Sequence, residues 1–323
     1  MRILVIRRDN IGDLVCATPL LAALRKRHPQ AHIAALVNSY NAGVLAGNPD
    51  VDAVHVYTKP KHRGRNESWF GTLRARFALL KKLRKQAFDH VILAKAGYDR
   101  HGLALAKRVC PRNIIGFSPD ERIDEGLHEV EALMKLGDKL DVDGAPGPLR
   151  VFAAPGRAAS WRERFPALAA RPVAVHISAR EPGRVWPVEK YVSLIKALNT
   201  AVALLWSPGG ADDPRHPGDD ARAAAIATQC GPGVTLLPAK TESLEDLIAV
   251  LSHCRAFIGP DGGAMHLAAG LGLPVLALFE NLPYKKRHWH PWQVRYEMVS
   301  PETRDIADIP VDAVLQAWHR LAR

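Results

Sequence analysis

Cysteine is scarce. The 323 residues hold four, Cys16, Cys110, Cys230 and Cys254, and no two form a CxxC pair. This excludes a disulfide framework and a zinc ribbon, and fits a reducing compartment such as the cytoplasm. Long apolar runs are also missing. The opening MRILVIRRDN gives only Ile3–Ile6 before Arg7 and Arg8, too short for the apolar core of a secretory signal. The longest apolar stretch, Ala268–Phe279, is broken by Gly270, Gly272 and Pro274, and falls short of the roughly 20 residues a membrane span needs. The expectation is a cytoplasmic protein, soluble or peripheral at a membrane. No GxxxxGK[ST], HExxH or GxSxG pattern occurs. His288 and His290 have no flanking carboxylate set, so no metal site is expected.

Acidic residues are under-represented in one half only. Residues 1–150 carry 25 Lys or Arg against 16 Asp or Glu, whereas residues 151–323 carry 19 against 17. The positive field therefore belongs to the first half and favours an anionic partner there. The remaining composition, 47% hydrophobic and 24% charged, is that of a globular chain too long for a single typical core.

Short apolar runs alternate with helical patterns. Ile3–Ile6, His32–Val37, Ala53–Tyr57, His90–Ala94 and Asn113–Phe117 read as strands. Helical patterns follow through Leu14–Leu24, Trp69–Lys85, Tyr98–Val109 and His128–Leu140. In the second of these, Trp69, Leu73, Phe77 and Leu80 form the apolar face. The Gly/Pro-rich segment 141–150 interrupts the rhythm, which restarts at Pro172–Ile177 and runs to a terminal helix over Val311–Ala322. This predicts two doubly wound α/β domains, 1–150 and 151–323, with ligands beyond the carboxyl ends of the strands.

Four segments can carry chemistry. Arg8-Asp9-Asn10-Ile11-Gly12-Asp13 follows the first strand. Asp13 there is either a general base or the third residue of a capping box begun by Asn10. Gly259-Pro260-Asp261-Gly262-Gly263-Ala264-Met265-His266 joins a strand to a small-residue helix. It is either a diphosphate cradle or a tight strand–helix turn. In the segment after Pro172–Ile177, Ser178, Arg180 and Arg184 are phosphate ligands or members of a solvated loop, with Trp186 in the core. Lys59–Lys85 holds ten basic residues and one acid, Glu67. It suits an anionic lipid, a phosphorylated acceptor or plain solvation. No nucleic-acid-binding signature accompanies it, and no nucleic-acid partner is expected.

These motifs, in this order, resemble bacterial heptosyltransferases, glycosyltransferase family 9. The resemblance rests on Met1–Arg7 with Asn10-Ile11-Gly12-Asp13 and Thr18-Pro19-Leu20, and on Arg184-Val185-Trp186-Pro187. It rests above all on Gly259–Ala269 with Gly272–Phe279, and it spans nearly the whole chain. It implies a GT-B fold, two Rossmann-like domains facing across a cleft. The last helix is expected on either domain. It also implies inverting, metal-independent transfer without a cofactor, usually of heptose from ADP-heptose; the alternatives are a transferase of the same fold using another nucleotide sugar, or a non-catalytic protein binding a nucleotide sugar or other anionic ligand. The usual acceptor is a lipopolysaccharide core at the inner face of the inner membrane. The first domain would hold the acceptor and the second the donor.

On that resemblance Asp13 is the base. Ser178, Arg180, Arg184, Asp261, Gly262, Gly263, Ala264 and His266 are donor ligands. Asn10, Lys59, Lys61, Arg63 and Arg65 are acceptor ligands. Three departures stand out. Gly262 replaces a usual Ser or Thr, and Arg184 a frequent Lys. In Trp206–Asp213 a usual Glu is missing, with Asp212 or Asp213 as its replacement.

Overall fold

An uninterrupted apolar run predicts a strand covered on both faces, as in parallel sheets. The strand β1 (Arg2–Ile6) meets that expectation, with Ile3, Leu4, Val5 and Ile6 all buried. The computed structural model describes residues 1–57, 69–124, 126–212 and 218–323. Lys59, Lys61, Arg63, Arg65 and Asp213 therefore lie outside the described residues. The chain divides into two units, Met1–Arg150 and Val151–Arg323.

In the first unit β1 is followed by α1 (Ile11–Cys16), α2 (Thr18–Arg27), β2 (His32–Asn38), β3 (Ala53–Tyr57), α3 (Trp69–Lys85), β4 (His90–Leu93), α4 (Arg100–Val109), β5 (Asn113–Ile115) and α5 (Glu129–Met134). The strands form one parallel sheet in the order β3-β2-β1-β4-β5. The second unit comprises α6 (Pro155–Arg164), β6 (Val173–His176), α7 (Val188–Leu198), β7 (Val202–Leu205), α8 (Asp220–Cys230), β8 (Leu236–Pro238), α9 (Leu244–Leu251), β9 (Ala256–Pro260), α10 (Gly263–Gly270), β10 (Val275–Leu278), α11 (Pro283–Trp289), β11 (Tyr296–Val299) and α12 (Val311–Ala322). Its sheet is also parallel, in the order β11-β10-β9-β6-β7-β8. The terminal α12 buries Val314, Ala317, Trp318 and Leu321 in the core of this second unit.

Both orders reverse direction at one point, between β1 and β4 in the first unit and between β6 and β9 in the second. Chain leaving the strands there diverges and opens a crevice at their carboxyl ends, where α/β proteins bind ligands. Asp13 follows β1, while the Ser178 and Asp261 loops follow β6 and β9. Close approach of β9 to β6 needs Gly259. A Cβ there would lie 2.9 Å from the His176 carbonyl oxygen and from the Phe257 ring.

Several expectations need correction. The helical pattern after β1 is two helices broken at Ala17, because Pro19 supplies no N–H and fits only a first turn. His128–Leu140 shortens to α5, followed by a 3-10 turn at Asp138–Leu140. On α3 Leu83 is buried and Leu79 and Leu80 are partly buried against the core, whereas Phe77 is 65% exposed. Of the predicted face Leu80 packs on the core and Phe77 does not, while the side chains of Trp69 and Leu73 lie outside those described. The sequence reading missed α6, α11 and β11. The first two are rich in polar residues, and β11 is a four-residue strand.

Candidate active site

The first-unit site is organised by a buried cation. Arg7 follows β1 directly and is 2% exposed. Its Nη2 donates to Asp13 Oδ1 at 2.6 Å and its Nη1 to Glu129 Oε1 at 2.7 Å. Nη1 also donates to the carbonyl oxygen of Ala94, just past β4, so the side chain spans the switch point. The Asp9 carboxylate lies 3.7 Å from Nε. Burial opposes a charge on Arg7, but Glu129, Asp13 and Asp9 more than offset this and hold it protonated.

Asp13 is both a capping residue and part of this cluster. Its Oδ2 accepts from the Asn10 N–H at 3.1 Å, closing a capping box at the start of α1. Burial pushes its carboxyl up. The Arg7 charge and the hydrogen bonds from Arg7 and Asn10 outweigh that and hold it below its ordinary value. The side chain keeps 17% exposure. A carboxylate has about four lone-pair positions, so the hydrogen bonds from Arg7 and from the Asn10 backbone and side chain leave room for a substrate hydroxyl. Buried Asn38 and Asn41 hold the loop. Asn38 donates to the Arg8 and Asp9 carbonyl oxygens at 2.9 Å each, and Asn41 to that of Asn10 at 3.3 Å.

The second-unit site inverts this arrangement, with a buried carboxylate at its centre. Glu280, just beyond β10, is 4% exposed. It accepts from Arg184 Nε at 2.8 Å and from Lys285 Nζ, with Arg304 Nε at 3.5 Å. Burial raises its pKa, but hydrogen bonds from Lys285 and Arg184 and their charges bring it down to about 2. Arg184 also reaches Asp261, with Nη1 3.3 Å from Oδ2 and 3.4 Å from the carbonyl oxygen. One guanidinium thus ties the β6 loop to the ends of β9 and β10.

Ser178 Oγ accepts from the Ser207 N–H at 2.8 Å, joining the β6 and β7 ends, and Arg180 is exposed. Gly262 caps α10, with Gly263 and Ala264 in its first turn, so backbone N–H groups and the helix dipole meet beside Asp261. Gly262 is extended, and a Cβ there meets nothing within 4 Å, so the usual Ser or Thr would fit. His266 is buried one turn on, edge-to-face with Trp289 at 5.9 Å. His176, under the β9 approach, is pushed by burial down to about 4 and stays neutral. Trp186 is fully buried, its Nε1 donating to the Ile309 carbonyl at 3.0 Å.

The predicted residues therefore gather at two strand-end sites. Asn10 and Asp13 lie in the first, and Ser178, Arg184, Asp261–Ala264 and His266 in the second. Asp212 is exposed and turned back over Gly210. Asp220 takes the buried tryptophan contact instead, accepting from Trp206 Nε1 at 2.7 Å and from Lys240 at 2.9 Å. Sequence reasoning missed Arg7, Glu129 and Glu280. The available signal was a charge placed directly against a buried strand, as in Ile6-Arg7 and Phe279-Glu280.

The family model described as glycosyltransferase family 9 (heptosyltransferase) matches residues 76–319. Lipopolysaccharide heptosyltransferase 3 of Escherichia coli is 24% identical over 301 residues, 87% of this chain and 83% of the relative. Lipooligosaccharide heptosyltransferase 2 of Haemophilus influenzae is 26% identical, covering 86% and 83%. Among solved structures, a family 9 glycosyl transferase from Veillonella parvula superposes with a TM-score of 0.83 at 19% identity, over 99% of this chain and 96% of that one. Escherichia coli heptosyltransferase WaaC with ADP superposes with a TM-score of 0.78 at 17% identity, over 99% and 100%. These likenesses agree with the GT-B fold. With the family model matched over most of this chain, the chain belongs to glycosyltransferase family 9, the heptosyltransferase family, and is a sugar-transferring enzyme.

Proposed function

We propose that this enzyme moves heptose from ADP-heptose to a lipopolysaccharide-core-type acceptor, with inversion and without a metal. The observation that carries this reading is Asp13. Its carboxylate stays ionised beside a dedicated buried Arg7 and remains partly open to solvent at the strand-end crevice. Asp13 takes the proton of an acceptor hydroxyl as that oxygen attacks the anomeric carbon. The bond from that carbon to the diphosphate breaks, and ADP leaves with the electron pair. Attack opposite the leaving group inverts the anomeric centre.

The second unit holds the donor in this reading. Arg184, the N–H groups of Gly262, Gly263 and Ala264, and the α10 dipole meet the charge that develops on the diphosphate. Ser178 and Arg180 line the same loop, and Asp261 and His266 contact the sugar side. Relatives of similar fold carrying ADP and ADP-2-deoxy-2-fluoro heptose support ADP as the nucleotide. The first unit holds the acceptor, with Asn10 beside the base and Lys59, Lys61, Arg63 and Arg65 on the acceptor phosphates. Its positive balance suits a phosphorylated acceptor at the inner face of the inner membrane, met peripherally, since no helix among the described residues is long and apolar enough to cross a membrane.

The test is titration of the metal-free enzyme with ADP, UDP and GDP, then turnover with ADP-heptose and assignment of the product anomer. Selective ADP binding and an inverted product are expected. Preference for UDP or GDP, or retention of configuration, would sink the reading.

A further inference from the structure

We propose that the outer face formed by α3 and α4 docks the enzyme on an anionic phospholipid bilayer. The proposal rests on the peripheral membrane contact suggested above and assigns it a surface. Together the two helices carry nine Lys or Arg and no Asp or Glu. They are neighbours, with Arg84 Nε donating to the Arg108 carbonyl at 2.6 Å. The acids at their margins are already engaged. Asp99 caps α4 through the Gly102 N–H, and Asp89 accepts from the Arg2 N–H and pairs with Arg112.

Helical spacing then sorts α3. Leu79, Leu80 and Leu83 face the core. Arg74, Phe77, Lys81 and Arg84 follow one another at three- and four-residue steps, which puts them on one stripe, and all four are exposed. Phe77, at 65%, is the most exposed large hydrophobic side chain among the described residues. On α4, Arg100, Lys107 and Arg108 are exposed as well.

A helix fully solvated on that side has no use for a phenylalanine there. An interfacial helix does, because the ring enters the headgroup–acyl boundary while flanking Lys and Arg chains reach anionic headgroups. Charge complementarity selects the occupant. Each Lys or Arg near an anionic leaflet contributes about fivefold in affinity, and the attraction falls off within a Debye length.

The experiment is co-sedimentation of the full chain with vesicles of equal phosphatidylglycerol and phosphatidylcholine, and with phosphatidylcholine alone. Binding is expected only to the anionic vesicles, and to be lost at about 0.5 M salt. The K81E/R84E variant should bind at least about tenfold more weakly, and F77S several-fold more weakly. A variant of equal net charge, K26E/K135E, should bind almost as well as the parent. ADP affinity, measured on the same preparations, should be the same in all four proteins and reports that each is folded. Absence of binding to anionic vesicles, equal binding to neutral ones, or equal losses in the two double variants would overturn the proposal. An enzyme that binds ADP and transfers heptose but fails the vesicle test leaves the donor reading standing and removes only the docking face.

Discussion

The two strand-end sites are electrostatic opposites. In the first unit one buried cation, Arg7, is surrounded by Asp9, Asp13 and Glu129. In the second, one buried anion, Glu280, is surrounded by Arg184, Lys285 and Arg304. Each hub ties together strand ends at or beside the switch point of its sheet. An excess of carboxylate suits a place where a proton is taken up. An excess of cation suits a place where phosphate charge develops. The same α/β scaffold thus carries buried hubs of opposite sign, Arg7 directly after β1 and Glu280 two residues beyond β10.

The largest expected effect comes from removing the proposed proton acceptor while leaving the opposite site intact. Asp13→Asn should lower kcat by about 10²–10⁴-fold with the ADP dissociation constant unchanged. Rapid turnover by this variant would mean that the first site does not perform acid–base work. Next comes the hub itself. Arg7→Met leaves buried carboxylates without their partner and should cost about 3–5 kcal/mol in urea unfolding. Adding Glu129→Met should recover much of that stability without restoring transfer, which separates the fold's need for Arg7 from that of Asp13.

On the other side, Glu280→Ala frees Arg184 from its Nε contact. It should weaken ADP binding about tenfold, the scale of one lost charged hydrogen bond, and affect kcat less than KM. Acid sensitivity should also differ between the sites. The lowered carboxyls of Asp13 and Glu280 contribute stability that is complete above their unfolded values and is lost as pH falls through the lowered ones, for Glu280 between 4.5 and about 2. His176, neutral in the fold with a value near 4, contributes a loss that begins already below 6.5. His176→Asn should flatten that upper part of a stability–pH curve. The smallest effect belongs to Gly262→Ser. An extended backbone and an empty Cβ position predict a change in stability within about 0.5 kcal/mol, checked by thermal unfolding.

Much of the fold was legible in the sequence, because parallel strands buried on both faces leave uninterrupted apolar runs such as Ile3–Ile6 and Val275–Phe279. Asp13 and the Gly259–His266 turn were legible because a short apolar strand leading into a loop rich in Gly, Asp or Asn is chemically distinctive. The hubs were not. Arg7 reads as the end of an apolar run, and its partner Glu129 stands 122 residues away. Only the folded sheet brings them together. Phe77 was misassigned for a related reason. Spacing finds an apolar stripe, but the sheet beneath decides which side of the helix is covered.

The reach of Arg7 also bears on how the chain is made. Its partners follow 6, 87 and 122 residues later. At about 5–20 residues per second, ribosomal synthesis separates Arg7 from Glu129 by roughly 6–24 s. Through that interval the guanidinium has Asp9 and Asp13 nearby but lacks Glu129, the strongest of the charges that offset its burial. A chain shortened before residue 129 would therefore leave the buried Arg7 without one of its side-chain partners.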